Sequence, residues 1–303
     1  VAKRLSYCGD QVARQDRDRF LCTLFAPDDR LEALWALLAF NIEIARTREV
    51  ISEPLLGEMR VQWWRDVVAA LYGEGTAPRG NQVLDRLADV VRDYDLPRAP
   101  FDRLLDARTA EVTSSPPVDV EAFVAHGAET DGALNELLLH ILDPDAPQDA
   151  VEAARATGAA WSVAGRLRAI PFHARKGWIT LPSSVATAES AVGADILGGR
   201  ASAALVEAVK KLVQEARTHI AEARRYSYPA PRLWQGVTLQ ARLAELYLDR
   251  LERLGHNPFD EKLERGRAGR QLRLWLSAKR EAYSRGRSHR ARRDRSGPPN
   301  RST

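Results

Sequence analysis

Two cysteines, Cys8 and Cys22, and one methionine, Met59, are all the sulfur in 303 residues. So few thiols, with no paired Cys/His spacing, exclude a disulfide framework and a structural zinc site, and they fit a reducing compartment. Long apolar runs are missing too. The best stretch, Leu31 to Ala45, is interrupted by Glu32, Asn41 and Glu43, well short of the roughly 20 apolar residues a membrane-spanning helix needs. Residues 1–19 carry Lys3, Arg4, Asp10, Arg14, Asp16, Arg17, Asp18 and Arg19 with no apolar core of a secretory signal, so a cytoplasmic location is expected. There is no Gly-rich phosphate loop, no Gly-x-Ser-x-Gly elbow and no His-x-x-x-His pair, which removes the P-loop, α/β-hydrolase and zincin classes. Alternation of period two is also absent; only Trp178 to Leu181 looks strand-like, too short to found a sheet.

What is present is an ordinary globular composition, 45% hydrophobic and 28% charged, enough to bury a sizeable core. The net charge of +4 is unevenly placed: residues 285–303 hold seven arginines against Asp294, a net +6, leaving −2 on residues 1–284. A nucleic-acid footprint spread over the fold is therefore not expected, and no specific nucleic-acid partner is assigned. The organisation read from this is a domain over 1–284 followed by an Arg-rich, unstructured and solubilising tail over 285–303. Electrostatic contact of that tail with anionic lipid or RNA is the alternative.

Helical spacing dominates the domain. Leu31, Leu34, Trp35, Leu38, Ile42 and Ala45 share one face, with Asp28 placed to cap the helix. After Pro54, the stripe Leu55, Met59, Trp63, Val67 and Leu71 predicts a second helix closed by Gly73 and Gly75. Further helices are predicted at about 81–94, 98–112, 119–142, 148–169, 200–226, 232–254 and 266–283. The fold class is all-α. Asp85, Asp89 and Asp93 fall on one helical face, but interleaved Arg86 and Arg92 mark a solvated surface rather than a metal site. Trp63 and Trp64, being adjacent, cannot share one core line; one belongs in a helix interface, the other against a neighbouring helix or the surface, and an exposed Trp64 would mark a docking surface. Leu272, Trp275, Leu276 and Lys279 read first as core packing, with membrane-surface contact as the alternative.

Three segments carry a family resemblance: RDRFLCTLFAPDDRLEALWALLAFNIEIARTRE at 17–49, GEMRVQWWRDVV at 57–68 and GAAWSVAGRLRAIPFHARKGWITLP at 158–182. Together they resemble the squalene/phytoene synthase family, in order, over most of residues 5–283. The resemblance implies a single-domain isoprenoid-synthase-like helical bundle around a central cavity, with two Asp-rich motifs at its mouth holding Mg²⁺ against a substrate diphosphate. Carboxylates four residues apart lie on one helix face, and two such faces can bridge the metals that stabilise the departing diphosphate. The first motif's aspartates would fall at Ala45 and Glu49, with Arg46 at the adjacent acidic position; the second motif's acids would fall at Ala169, Phe172 and His173. Alanine, phenylalanine and neutral imidazole do not replace hard oxygen ligands. These departures resemble the branch of the family that lacks the motifs and contains a mitochondrial complex I assembly factor.

The expectation is thus a pseudoenzyme, working through a protein partner such as a respiratory-complex subunit, with peripheral contact at the inner face of the membrane. No cofactor is expected. Mg²⁺ enters only under the alternative of an active prenyltransferase, and a third reading is a non-catalytic binder of an isoprenoid or quinone lipid. The candidate anion or lipid pocket comprises Asn41, Glu49, Arg60, Arg168, His173 and Arg175. Arg168, His173, Arg175 and Lys176 read first as a structural loop contacting helix ends, and Asn41, Glu43 and Glu49 as members of an internal ion-pair network with Arg46, Arg60 or Arg168, the ligand pocket being the alternative for both sets.

Overall fold

A computed structural model describes residues 5–51, 53–76, 78–113, 116–225, 233–263, 269 and 272–279. The architecture is all-α, with no strand among the described residues. The helices are α1 (Tyr7–Gln15), α2 (Arg17–Thr23), α3 (Leu31–Ala45), α4 (Thr47–Val50), α5 (Pro54–Leu71), α6 (Gln82–Asp93), α7 (Arg98–Thr113), α8 (Val120–Gly127), α9 (Ala133–Leu142), α10 (Gln148–Arg175), α11 (Ala191–Leu197), α12 (Ala203–Arg225) and α13 (Gln235–Arg253). Residues 272–279 are also helical. The Arg-rich segment 285–303 lies outside the described residues.

Side-chain caps set several starts by satisfying amide groups that have no partner within the helix. Ser6, Asp16, Asn81, Asp119 and Ser190 accept from the amides of Gly9, Arg19, Leu84, Ala122 and Gly193. Asp28 does not cap α3; it opens a short 3-10 turn, Asp28–Arg30, that feeds the helix. From Ala33 to Ile44 only Glu43 is not fully buried, because α3 is apolar all round and runs through the core rather than along its edge.

Helix α5 keeps the C-terminal part of the predicted stripe inward, with Val67 1% exposed and Leu71 packed against the core, but turns its first three members outward. Leu55, Met59 and Trp63 are 67%, 59% and 40% exposed, whereas Val61, Trp64 and Val68 are buried at 1% each. The helix is apolar on two faces, and Gly57 decides between them: a Cβ there would overlap the Val112 side chain, so α5 meets α7 along the Gly57 line. Trp64 then packs edge-on to Phe40, with ring centroids 5.1 Å apart. The span read as one helix over 119–142 is α8, a π-turn at Ala128–Gly132 and α9. Gly158 of α10 sits directly on the Asp131 carbonyl at this turn, and the extra residue places Asp131 in the interior.

The 28-residue α10 runs through Pro171, beyond the predicted end at 169. Buried Leu167, Ile170 and Ala174 on either side hold it, although a helical proline removes a backbone bond. It ends at Gly177, φ +75°, where the Gly177 amide donates to the Ala174 carbonyl and the Trp178 amide to the His173 carbonyl, each 2.9 Å. This left-handed glycine cap folds Trp178 back over the His173 ring, centroids 5.9 Å apart. Two apolar clusters form the core. One joins α1, α3, α5, α6, α7 and α9; the other joins α8, α10, α12, α13 and the 272–279 segment.

Candidate functional site

Between these clusters lies a cavity of about 560 Å³, walled by α4, α7, α8 and α10. One face of α10 supplies Trp161, Gly165, Ala169 and His173, each four positions from the last, with Arg166 beside them. Arg48 and Glu49 of α4, Arg108 and Glu111 of α7, and His126 of α8 complete its polar wall, with Asp131 at its floor. Ala45, Glu49, Ala169 and His173, four of the positions at which the resemblance places acidic residues, all line it. Phe172 instead points outward and is 38% exposed.

Two of the three carboxylates that line the cavity, Glu111 and Asp131, are bound to cations. Glu111 accepts from Arg108 at 2.9 Å on both oxygens, from His126 Nε2 at 2.6 Å and from Arg166 at 3.4 Å. Burial opposes its ionisation, but Arg108, His126 and Arg166 hold it well below the usual carboxylate range. Asp131 pairs with Arg19, whose guanidinium also reaches Asp16 at 3.0 Å and lies 5.5 Å from the Trp161 ring. Against burial, Arg19 and Arg108 hold Asp131 down as well. Burial lowers His126 below the ordinary imidazole value against the opposing pull of Glu111, with Arg166 and Arg108 adding to the burial effect. Burial, then Arg48, Lys176 and Arg166, lowers His173 to about 4, and its Nδ1 is buried without a partner.

Of the residues singled out from sequence, Glu49 and His173 line the cavity. Buried Asn41 reaches its edge by accepting from Arg108 Nη2 at 3.4 Å. The other three do not line it. Arg60 binds Glu43 at 2.8 Å, and Glu43 also accepts from Gln11 at 2.9 Å, which is the internal network that was one of the two readings. Arg168 projects from another face of α10, 3.5 Å from Asp18 and 3.5 Å from the Tyr247 ring centroid, and pairs with neither Glu43 nor Glu49. Arg175 is exposed, and Arg46 turns away to Gln15, 2.6 Å. Sequence reading missed Arg108, Glu111, His126, Asp131 and Arg166. The one available signal was Arg108 and Glu111, oppositely charged at i, i+3.

Mg²⁺, the ion the sequence resemblance implies, needs several free hard oxygens in octahedral array. Glu111 and Asp131 are committed to arginines, Glu49 stands alone, and no group of three His, Cys, Asp or Glu able to hold one metal ion occurs among the described residues. This donor set does not fit the ion. Among the described residues no helix is long and apolar enough to cross a membrane.

Residues 12–276 match squalene/phytoene synthase. Complex I assembly factor 6 of Mus musculus is 26% identical over 278 residues, 91% of this chain and 82% of that protein. Its Drosophila melanogaster homolog is 27% identical over 255 residues, 82% and 75% of the two chains. Among solved structures, a dehydrosqualene synthase in complex with ligand superposes with a TM-score of 0.76 at 18% identity, covering 92% of this chain and 96% of that one. Squalene synthase HpnC from Alicyclobacillus acidocaldarius gives 0.68 at 20% identity, covering 83% and 94%. With the bundle, the cavity and a sequence match spanning most of its length, the chain belongs to the squalene/phytoene synthase family.

Proposed function

We propose that this chain transfers no prenyl group and serves instead in assembly of respiratory complex I or a similar membrane-associated complex. It does so through a protein partner, from the cytoplasm and the inner face of the membrane, without a cofactor. The observation that carries the reading is the cavity's donor set. Ala45 and Ala169 supply no ligand, His173 is a neutral imidazole, and Glu111 is clamped by Arg108 and Arg166. Ionising an allylic diphosphate requires stabilising a doubly charged leaving group as it departs. Arg19, Arg108 and Arg166 are already engaged by Asp131 and Glu111, which leaves Arg48, stacked on Trp178, as the arginine of the cavity wall without a carboxylate contact among the described residues to offset such charge. The assembly role rests on relatives named as complex I assembly factors along most of this chain.

Deleting the gene in the organism that carries it tests the role, with native gels and NADH:ubiquinone activity as readouts. Loss of mature complex I, restored by the wild-type gene and equally by a Glu49→Ala copy, is the expected result. Normal complex I in the deletion strain would overturn it. A second reading, a binder of an isoprenoid or other lipid, is favoured by one feature. The cavity has not been filled by bulky side chains, and about 560 Å³ lies within the range of ligand pockets. Saturable binding of a farnesyl compound without turnover would support that reading, and its absence would remove it.

A further inference from the structure

We infer that the outer face of the 272–279 helix docks the protein on an anionic phospholipid surface. This inference deepens the membrane part of the proposed function and rests on it. Leu274 and Ala278 are 1% and 5% exposed and pack into the second core cluster. The Ala278 carbonyl accepts from Gln235 Nε2 at 3.1 Å, and Ser277 Oγ from Arg242 Nε at 3.2 Å. One side of the segment is thereby fixed to α13. On the other side Leu272, Trp275 and Leu276 are 60%, 45% and 41% exposed. They stand at i, i+3 and i+4, one contiguous apolar face, so the core-packing reading of these residues gives way to its alternative.

Charge identifies the occupant. Exposed Arg273 and Lys279 flank the face, with Lys279 Nζ 3.8 Å from the Trp275 ring centroid. Residues 280–303 add eight arginines against Glu281 and Asp294. Residues 1–284 sum to −2, so the positive charge is concentrated at this end. Tryptophan and leucine settle at the boundary between headgroups and acyl chains, and basic side chains beside them meet lipid phosphates. A nucleic acid would attract the arginines and stack on Trp275, but it offers Leu272 and Leu276 no apolar environment. The two leucines therefore favour a lipid surface.

Co-sedimentation of the full chain with vesicles tests this. Vesicles with roughly 30 mol% phosphatidylglycerol in phosphatidylcholine should bind, and pure phosphatidylcholine vesicles should not, with binding lost at high salt. The double variant Trp275→Ser/Leu276→Ser should bind about tenfold or more weakly. Its thermal unfolding should match wild type because both side chains are exposed, and Trp275→Phe should retain most of the binding. Replacing Arg290, Arg292 and Arg293 with glutamine should also weaken binding. Wild-type affinity in the double variant, or equal affinity for neutral vesicles, would overturn the inference. So would an affinity for single-stranded RNA that outcompetes the vesicles and depends on the arginines alone. Failure here would leave the complex I phenotype of the deletion strain unaltered, so the two readings fail separately.

Discussion

Replacing Glu111 with glutamine probes the buried network that closes the cavity to metals. The side chain is 20% exposed and faces Arg108 and Arg166, 12% and 19% exposed. Glu111→Gln keeps the shape and one acceptor but leaves two buried guanidinium groups without their carboxylate. Removing one partner of a buried ion pair costs about 3–5 kcal/mol. Against a total stability of about 5–15 kcal/mol, that is a large share, and it corresponds to a fall in Tm on the order of 10 °C. The pH dependence has a definite sign. The folded-state pKa of Glu111 is depressed, so its contribution is complete above the ordinary glutamate range of about 4.3 and is lost as pH falls through the depressed value. Urea unfolding of both proteins from pH 8 down to pH 3 is the assay. The gap should hold between pH 8 and pH 5 and begin to narrow below about pH 4.3. A variant within about 1 kcal/mol of wild type at pH 7 would refute the reasoning, as would a gap that closes already near pH 6.

Trp64→Ala should destabilise by about 3–5 kcal/mol, whereas Trp63→Ala, on the exposed side of α5, should cost less than about 1 kcal/mol; denaturant midpoints separate the two, and the reverse order would mean that α5 is rotated. Gly158→Ala should destabilise by about 1–3 kcal/mol or more, because its Cβ would overlap the backbone peptide joining Asp131 to Gly132, which cannot give way as a side chain can; a neutral result in thermal melts would contradict the close seat of the π-turn. His173, lowered to about 4 by burial and by Arg48, Lys176 and Arg166, should show no imidazole titration by NMR between pH 8 and pH 5. Its proton is taken up more readily by the unfolded chain, so it lowers stability as pH falls from about 6.5 toward that value. An inflection near 6.5 would contradict its burial.

The helices and the all-α class were legible because apolar spacing and punctuation agreed for α3, α6, α7, α12 and α13. Helix α5 shows where periodicity runs out: Leu55, Met59 and Trp63 make as good a stripe as Val61, Trp64 and Val68, and the choice depends on Gly57 meeting Val112 from another helix. Helices α1 and α2 escaped notice because charged residues crowd their short spans, and α10 outran its predicted end because tertiary packing retained Pro171 in the helix. Glu49 and His173 were found because the resemblance runs through those positions. Arg108, Glu111, His126 and Arg166 were not, since they come from three helices and combine only across the cavity. Their residue types, in isolation, look like ordinary surface charge.

The most direct test of the account is incubation of the purified protein with farnesyl and geranylgeranyl diphosphate, with and without Mg²⁺, while following pyrophosphate release. A cavity in which arginines hold Glu111 and Asp131 and leave only Glu49 unpaired should release none above the protein-free background, with or without the metal, and Mg²⁺ should leave Tm unchanged. Mg²⁺-dependent release of pyrophosphate with formation of a condensed prenyl product would contradict the account.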